Sequence, residues 1–144
     1  MHVKAILAGK GGQVISARPE ETVAAVAARL TTNKIGAVVV LDENAQLAGI
    51  LSERDIVGAL ARHGEKAITM TAGELMTRPV QSCRPEDTIE QVMQVMTKRR
   101  FRHLPVLEDG QLTGIISIGD VVKHRLELSE MEVDSLRQYV FEGH

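Results

Sequence analysis

Apolar and polar positions along the 144-residue chain follow helical and strand periods in turn, and the succession occurs twice. A short strand is predicted over 14–17, closed by Pro19. Behind Thr22, a good N-cap, Val23, Val26, Ala27 and Leu30 recur at helical spacing. The unbroken apolar run Ala37–Leu41 has the pattern of a strand buried on both faces. A polar turn over 42–46 and a second apolar run over 47–51 complete a hairpin. A further helix is predicted from about Glu53 to Arg62, stopping at Gly64 as C-cap.

Sixty-six residues further on the pattern returns. Val80 matches Val14, Pro85 matches Pro19, Thr88 matches Thr22 and Val106 matches Val40. After a one-residue deletion in the turn the offset is 65, and Gly114, Ser117 and Asp120 match Gly49, Ser52 and Asp55. Ile89, Val92, Met93 and Met96 repeat the helical face, and Thr88 and Gln91 have capping-box spacing. Each copy therefore reads strand, helix, hairpin, helix. One such unit of about sixty residues is marginal alone, so the two are expected to bury their apolar faces against each other.

The predicted fold class is α/β in the α+β sense: two tandem β-α-β-β-α repeats packed about a pseudo-two-fold axis, plus a short C-terminal helix. By chain order the first repeat takes residues 3–64 and the second 80–127. The linker over 65–79 carries a single helical turn, signalled by the Thr71/Glu74 capping-box spacing. The last segment, 128–144, carries a further capping box, Ser129 with Glu132, and an apolar stripe of Val133, Leu136 and Val140.

Composition narrows the function classes. Hydrophobic residues make up 44% and charged residues 25% of the chain, which is globular rather than disordered. Seventeen basic against nineteen acidic side chains leave a net charge of −2, which disfavours bulk nucleic-acid binding. Aromatics at 2% do not suit stacking on bases. No apolar run is long enough to cross a bilayer, and no signal peptide is read at the N-terminus. The single cysteine, Cys83, allows neither an internal disulfide nor a thiolate cluster, and reads as a buried, inert thiol on the first strand of the second copy. A reducing, cytoplasmic setting is expected. The histidines lack ligand spacing, and no nucleophilic triad can be assembled, so neither a metal site nor an enzyme is expected.

The doubled segments GILSERD (49–55) and GIISIGD (114–120) carry the candidate chemistry. Each leaves a buried strand and opens a helix with serine at the N-cap and aspartate three residues later. One reading is purely a helix cap. The other uses the same geometry for a nucleotide: a helix N-terminus attracts phosphate, and a first-turn carboxylate accepts hydrogen bonds from ribose hydroxyls. Gly49 and Gly114 would admit a ligand close to the backbone.

The doubled unit, ending each time in Gly-h-h-Ser-x-x-Asp (h, apolar), resembles a pair of cystathionine-β-synthase (CBS) domains, a Bateman module. The resemblance covers residues 3–127 and extends to the phrases SERD, RHLPV and SIGDVV of small stand-alone bacterial CBS-pair proteins. It implies ribose binding by Asp55 and Asp120, with Ser52 and Ser117 near ribose or phosphate. It implies an adenine pocket from Met76, Thr77 and Val80 with His103, Leu104 and Pro105 in one copy. In the other copy the pocket is Lys10, Val14, Gly36, Ala37 and Val38, and Leu51 and Ile116 flank the ring. Arg102 and His103 are the expected phosphate contacts. Because Gly36 and Ala37 stand at the matching positions, the Asp120 cleft is expected to favour phosphate, unless folding carries Arg102 to the other cleft. Arg54, Lys34 and Lys10 are further cations within reach.

The resemblance implies a regulatory module, with no required cofactor, that binds AMP, ADP or ATP and changes shape or partner affinity. NAD(H) and S-adenosylmethionine remain candidates, and a homodimer acting on a separate regulated protein is expected. The rival reading is a nucleotide-independent scaffold docking through the C-terminal helix.

Overall fold

In the computed structural model, which describes residues 1–11 and 13–141, the chain runs α1 (Val3–Lys10), β1 (Ser16–Ala17), α2 (Val23–Asn33), β2 (Ala37–Leu41), β3 (Leu47–Ser52) and α3 (Glu53–His63). A 3₁₀ turn, Gly64–Thr69, leads to α4 (Ala72–Leu75), α5 (Ile89–Arg99), β4 (His103–Glu108), β5 (Gln111–Ser117) and α6 (Ile118–Phe141). The caps read from sequence start these helices. Thr22 accepts the Ala25 N–H at 3.2 Å and Thr88 the Gln91 N–H at 3.1 Å, so α2 and α5 begin alike. The Gly64 N–H donates to Leu60 O and ends α3.

The first repeat holds a three-stranded sheet in the order β1-β2-β3, with β1 parallel and β3 antiparallel to β2. The second has the β4-β5 hairpin alone. The strand expected there shrinks to Cys83, whose N–H donates to Pro105 O (3.0 Å) and whose carbonyl accepts from Leu107 N (2.9 Å). Its single parallel bridge to Val106 is the Ala17/Val40 pair of β1 and β2, displaced by 66 residues. The strand predicted over 14–17 is likewise short, at two residues.

Two aliphatic cores form, and each repeat receives a helix from outside its own sequence. Ala72 of α4 packs with Val26, Leu30, Val38, Val40 and Leu51. Val3 and Ile6 of α1 pack with Ile89, Val92, Met96, Leu104, Val106 and Ile116 of the second repeat. The main-chain bonds match one for one. Ala72 N to Glu21 O (2.8 Å) and Gly73 N to Pro19 O (2.9 Å) correspond to Val3 N to Asp87 O and Lys4 N to Pro85 O, both 2.9 Å. Residues 3–10, grouped with the first repeat by chain order, thus complete the second. The exchange ties both ends of the doubled unit into one body and keeps the pseudo-two-fold relation.

The last helix differs from expectation. Ser129 and Glu132 do not start a new helix: α6 is continuous from the second motif to Phe141. No glycine or proline follows Gly119 within α6, so nothing interrupts the ladder. Residues 142–144, the end of the helical segment expected over 128–144, lie outside the described residues.

Candidate functional site

Two clefts lie where the start of each motif helix meets the strand entrance of the other repeat. The helix starts are built alike. Ser52 Oγ accepts the Asp55 N–H at 3.2 Å, and Asp55 Oδ2 accepts the Ser52 N–H at 2.9 Å, closing a capping box on α3. Ser117 and Asp120 repeat both bonds on α6, at 3.1 and 2.9 Å. The capping reading of these residues is therefore realised. A ligand ribose would have to share carboxylates that already hold the helix ends.

The cleft at Asp55 is lined by Ile50, Ser52, Glu53, Arg54 and Asp55 from the first repeat, by Thr77 from the linker, and by Arg100, Phe101, Arg102 and His103 from the second repeat. Thr77 Oγ1 donates to Asp55 Oδ1 at 3.2 Å. Arg54 crosses the cleft and donates to Arg100 O at 3.3 Å. Arg100 sits at the C-cap of α5 with φ 58°, a left-handed conformation that costs a non-glycine residue about 1 kcal/mol. Three arginines thus line a cleft that also holds a carboxylate and a helix N-terminus.

The cleft at Asp120 is lined by Ile115, Ser117 and Asp120 together with Lys10, Gln13, Ile15, Lys34, Ile35, Gly36, Ala37 and His103. Lys10 Nζ lies 2.6 Å from Asp120 Oδ2 and donates to Ile115 O at 2.9 Å. Burial pushes the Asp120 carboxyl upward, but the hydrogen bonds from Lys10 and Ser117 outweigh it and hold the group below its ordinary value. Lys34, the counterpart of Arg100 at offset 66, has the same left-handed backbone, φ 53°. The asymmetry between clefts originates in the imported helices. α1 runs on to Lys10, whereas α4 ends at Leu75 and Thr77 pairs with Ile50 as a single antiparallel bridge.

His103 is common to both clefts. A Cβ on Gly36 would stand 3.1 Å from His103 Cε1 and Nε2, so the absence of a side chain at Gly36 is what admits the imidazole. Burial, reinforced by Lys10 and Arg102, lowers the pKa of His103 below its ordinary value against the opposing pull of Glu53 and Asp120.

The fold places Arg102 at the Asp55 cleft and His103 at both, so the condition attached to the expected phosphate preference of the Asp120 cleft is the one met. The physical reason is a crossing. Arg102 O accepts from Ile118 N at 2.8 Å and keeps the main chain at its own repeat's motif, while the residue lines the other repeat's cleft. Ser52, Arg54, Asp55 and Thr77 join Arg102 and His103 there. Lys10, Gly36, Ala37, Ser117 and Asp120 gather in the second cleft, again with His103.

The other expected residues lie elsewhere. Leu51 and Val38 are wholly buried in the first core, and Ile116 and Leu104 in the second. Strand alternation turns Leu51 and Ile116 inward, which leaves their neighbours Ile50 and Ile115 to line the clefts. Pro105 is buried, and its carbonyl serves Cys83. Val14 and Val80 are half-buried outside both clefts. Met76 is spent against Gly49: a Cβ there would come 2.5 Å from Met76 Sδ, as one on Gly114 would come 2.6 Å from Leu7 Cδ2. Those two glycines admit protein side chains and not a ligand. Ile50, Ile115, Arg100 and Phe101 were not foreseen as site residues. Period-two alternation from Ser52 and Ser117 points to the two isoleucines.

Cys83 is buried, and burial together with the nearby Asp87 pushes its thiol up to about 12, which leaves it unreactive. Among the described residues no three His, Cys, Asp or Glu side chains come together as a metal site would need. No helix among them is long and apolar enough to cross a membrane.

The doubled architecture is shared with known proteins. The sequence profile of the CBS domain matches residues 11–62 and 72–127. The crystal structure of the CBS-domain containing protein ATU1752 from Agrobacterium tumefaciens is 44% identical, with a TM-score of 0.84 over 86% of this chain and 92% of that one. The CBS domain-containing protein CBSX3, mitochondrial, of Arabidopsis thaliana is 33% identical over 129 residues; the match takes 87% of this chain and 63% of the plant protein's length. The CBS domain pair of protein MJ0100, in complex with 5-methylthioadenosine and S-adenosyl-L-methionine, is 27% identical with a TM-score of 0.76 over 85% of this chain and 98% of that one. The chain accordingly belongs to the CBS-domain family, as a tandem pair of domains of a generally regulatory kind.

Proposed function

We propose that the chain is a regulatory module that takes an adenosine-containing ligand, with AMP, ADP and ATP foremost, and alters its conformation or its affinity for a regulated protein in response. The observation that carries this reading is the Asp55 cleft. There a first-turn carboxylate suited to a ribose diol shares the lining with Arg54, Arg100 and Arg102, which are suited to phosphate. Apolar walls from Ile50 and Phe101 suit a purine between them. The resemblance to a pair that holds adenosyl ligands supports the same choice of ligand. NAD(H) and S-adenosylmethionine share the adenosine group and belong to the same test. The module works as a cytoplasmic homodimer and needs no cofactor of its own.

A thermal-shift panel tests this reading: adenosine, AMP, ADP, ATP, NAD(H) and S-adenosylmethionine at increasing concentration. A ligand that binds the folded state alone raises Tm with the logarithm of its concentration. A rise with the phosphorylated adenosines is the expected result. No response to any of them favours the second reading, a nucleotide-independent scaffold. The observation on that side is the exposed apolar face of α6.

A further inference from the structure

The distal part of α6 stands clear of both cores: residues 129–140 are all exposed. Three turns of unpacked helix are marginal in water, because helical stability comes mainly from packing one face. Apart from Met131 and Tyr139, the exposed apolar residues from Val122 onward fall in one line. Val122, Leu126, Val133, Leu136 and Val140, between 47% and 65% exposed, fall at spacings of four and three around Ser129. They occupy the a and d positions of a heptad: Leu126, Val133 and Val140 at a, and Val122, Ser129 and Leu136 at d. A groove runs along this seam, bordered by Leu126, Ser129, Val133 and Arg137. A 3.5-residue repeat of this kind fits another helix rather than a globular core.

We infer that the occupant is a second copy of the same helix, paired in parallel and in register. The flanking charges select both partner and direction. Arg125 and Glu132 stand at g, and Glu130 and Arg137 stand at e. In a parallel pair g faces the following e of the other chain. Arg125 then meets Glu130 of the partner subunit, and Glu132 meets Arg137 of the partner subunit, each twice by symmetry. Antiparallel pairing sets e against e and g against g. It would bring Glu130 and Glu132 against their own copies and Lys123 against Arg137, three like-charge contacts, with Arg125 facing the uncharged Tyr139. Valine at two of the three a positions, Val133 and Val140, with Leu136 at d between them also suits two parallel strands. Arg125 holds an exposed bond to Glu90 at 3.3 Å, which the partner's carboxylate replaces at little cost. The inference rests on the homodimer part of the reading above, to which it gives a surface; it does not depend on the nucleotide.

Two complementary charge variants test it, by light scattering across micromolar concentrations. One carries Glu130→Arg with Arg137→Glu, the other Arg125→Glu with Glu132→Arg. Each alone places like charges at every complete g–e contact. Each should raise the dimer dissociation constant by about ten-fold or more. The equimolar mixture should recover a heterodimer of wild-type affinity. All substituted positions are exposed, so folding is expected to survive, and the AMP-induced thermal shift reports whether the module is intact. Two variants that remain dimers as tight as wild type would overturn the seam while leaving the homodimer standing. Weakened variants that fail to recover on mixing would overturn the parallel register. A monomeric wild type would remove both the seam and the homodimer, with the nucleotide reading decided separately by the thermal shift.

Discussion

Lys10 reaches from the imported helix α1 to Asp120 at 2.6 Å, whereas Asp55, the same motif position in the other repeat, accepts from neutral donors, the hydroxyls of Thr77 at 3.2 Å and Ser52 at 3.0 Å and the Ser52 N–H at 2.9 Å. The two clefts therefore start from different electrostatic states despite their common descent in sequence. A ribose entering the Asp120 cleft competes with an ammonium group already in place. One entering the Asp55 cleft competes with hydroxyls.

The first prediction follows from that ion pair. In Lys10→Met the Asp120 carboxyl loses the cation that holds its pKa down, so its midpoint should move up toward the ordinary value. A ¹³C-detected titration of the Asp120 carboxyl reads this directly. Adenosine affinity at that cleft should also rise, by about three- to ten-fold, as the competitor is removed. An unmoved carboxyl midpoint would show that Lys10 does not hold the group in solution.

Gly49→Ala should destabilise the fold by about 1–3 kcal/mol, the usual cost of overpacking. The added Cβ would come within 3.0 Å of Met76 Cβ, Cγ and Sδ, so rotating the sulfur away does not clear it. Urea unfolding measures the loss. A midpoint equal to wild type would mean that the linker after α4 shifts freely, and would return Gly49 to the role of a ligand-approach position.

Acid stability has one well-placed contributor. Glu21 accepts a bidentate pair of hydrogen bonds from Arg29, at 2.6 and 3.0 Å, and Arg29 also donates to Ser16 O. The hydrogen bonds from Arg29 outweigh burial and lower the Glu21 carboxyl from 4.5 to about 2. A depressed carboxylate adds stability that is fully present above its unfolded pKa and is lost as pH falls through the folded one. The contribution, about 0.5–1 kcal/mol for a pair of this exposure, should therefore fade between pH 4.5 and 2. Glu21→Gln should lower stability at neutral pH and flatten this part of the pH profile in chemical denaturation. Parallel profiles for the two proteins would contradict the assignment.

Most of the fold was legible because it is written twice. The Thr22 and Thr88 caps and the apolar run of β2 are local signals that the offset of 66 confirms against a copy, and the Gly64 stop is local without a copy, since α6 runs on. What escaped was non-local. Nothing near Val3 says that α1 completes the second core, because that contact is made with residues more than eighty positions away. Arg102 is tied by its main chain to its own repeat's motif, yet it lines the cleft of the other motif. Leu51 and Ile116 were misassigned despite an available signal, since strand parity from Ser52 and Ser117 already turns them inward. The capping boxes and the nucleotide motif use the same atoms, so no local pattern can separate the two roles.

Isothermal titration of AMP and adenosine into wild type, Asp55→Ala and Arg102→Ala tests the central claim most directly. Asp55 also closes a cap, so the folded fraction of its variant is checked by circular dichroism, with an expected cost of about 1 kcal/mol. Asp55→Ala should weaken both ligands by about 1.5–3 kcal/mol at the affected cleft, the scale of hydrogen bonds to a charged group. Arg102→Ala should weaken AMP to a similar extent and leave adenosine nearly unchanged. Unaltered AMP affinity in a folded Asp55→Ala protein, or equal losses of AMP and adenosine in Arg102→Ala, would contradict the account.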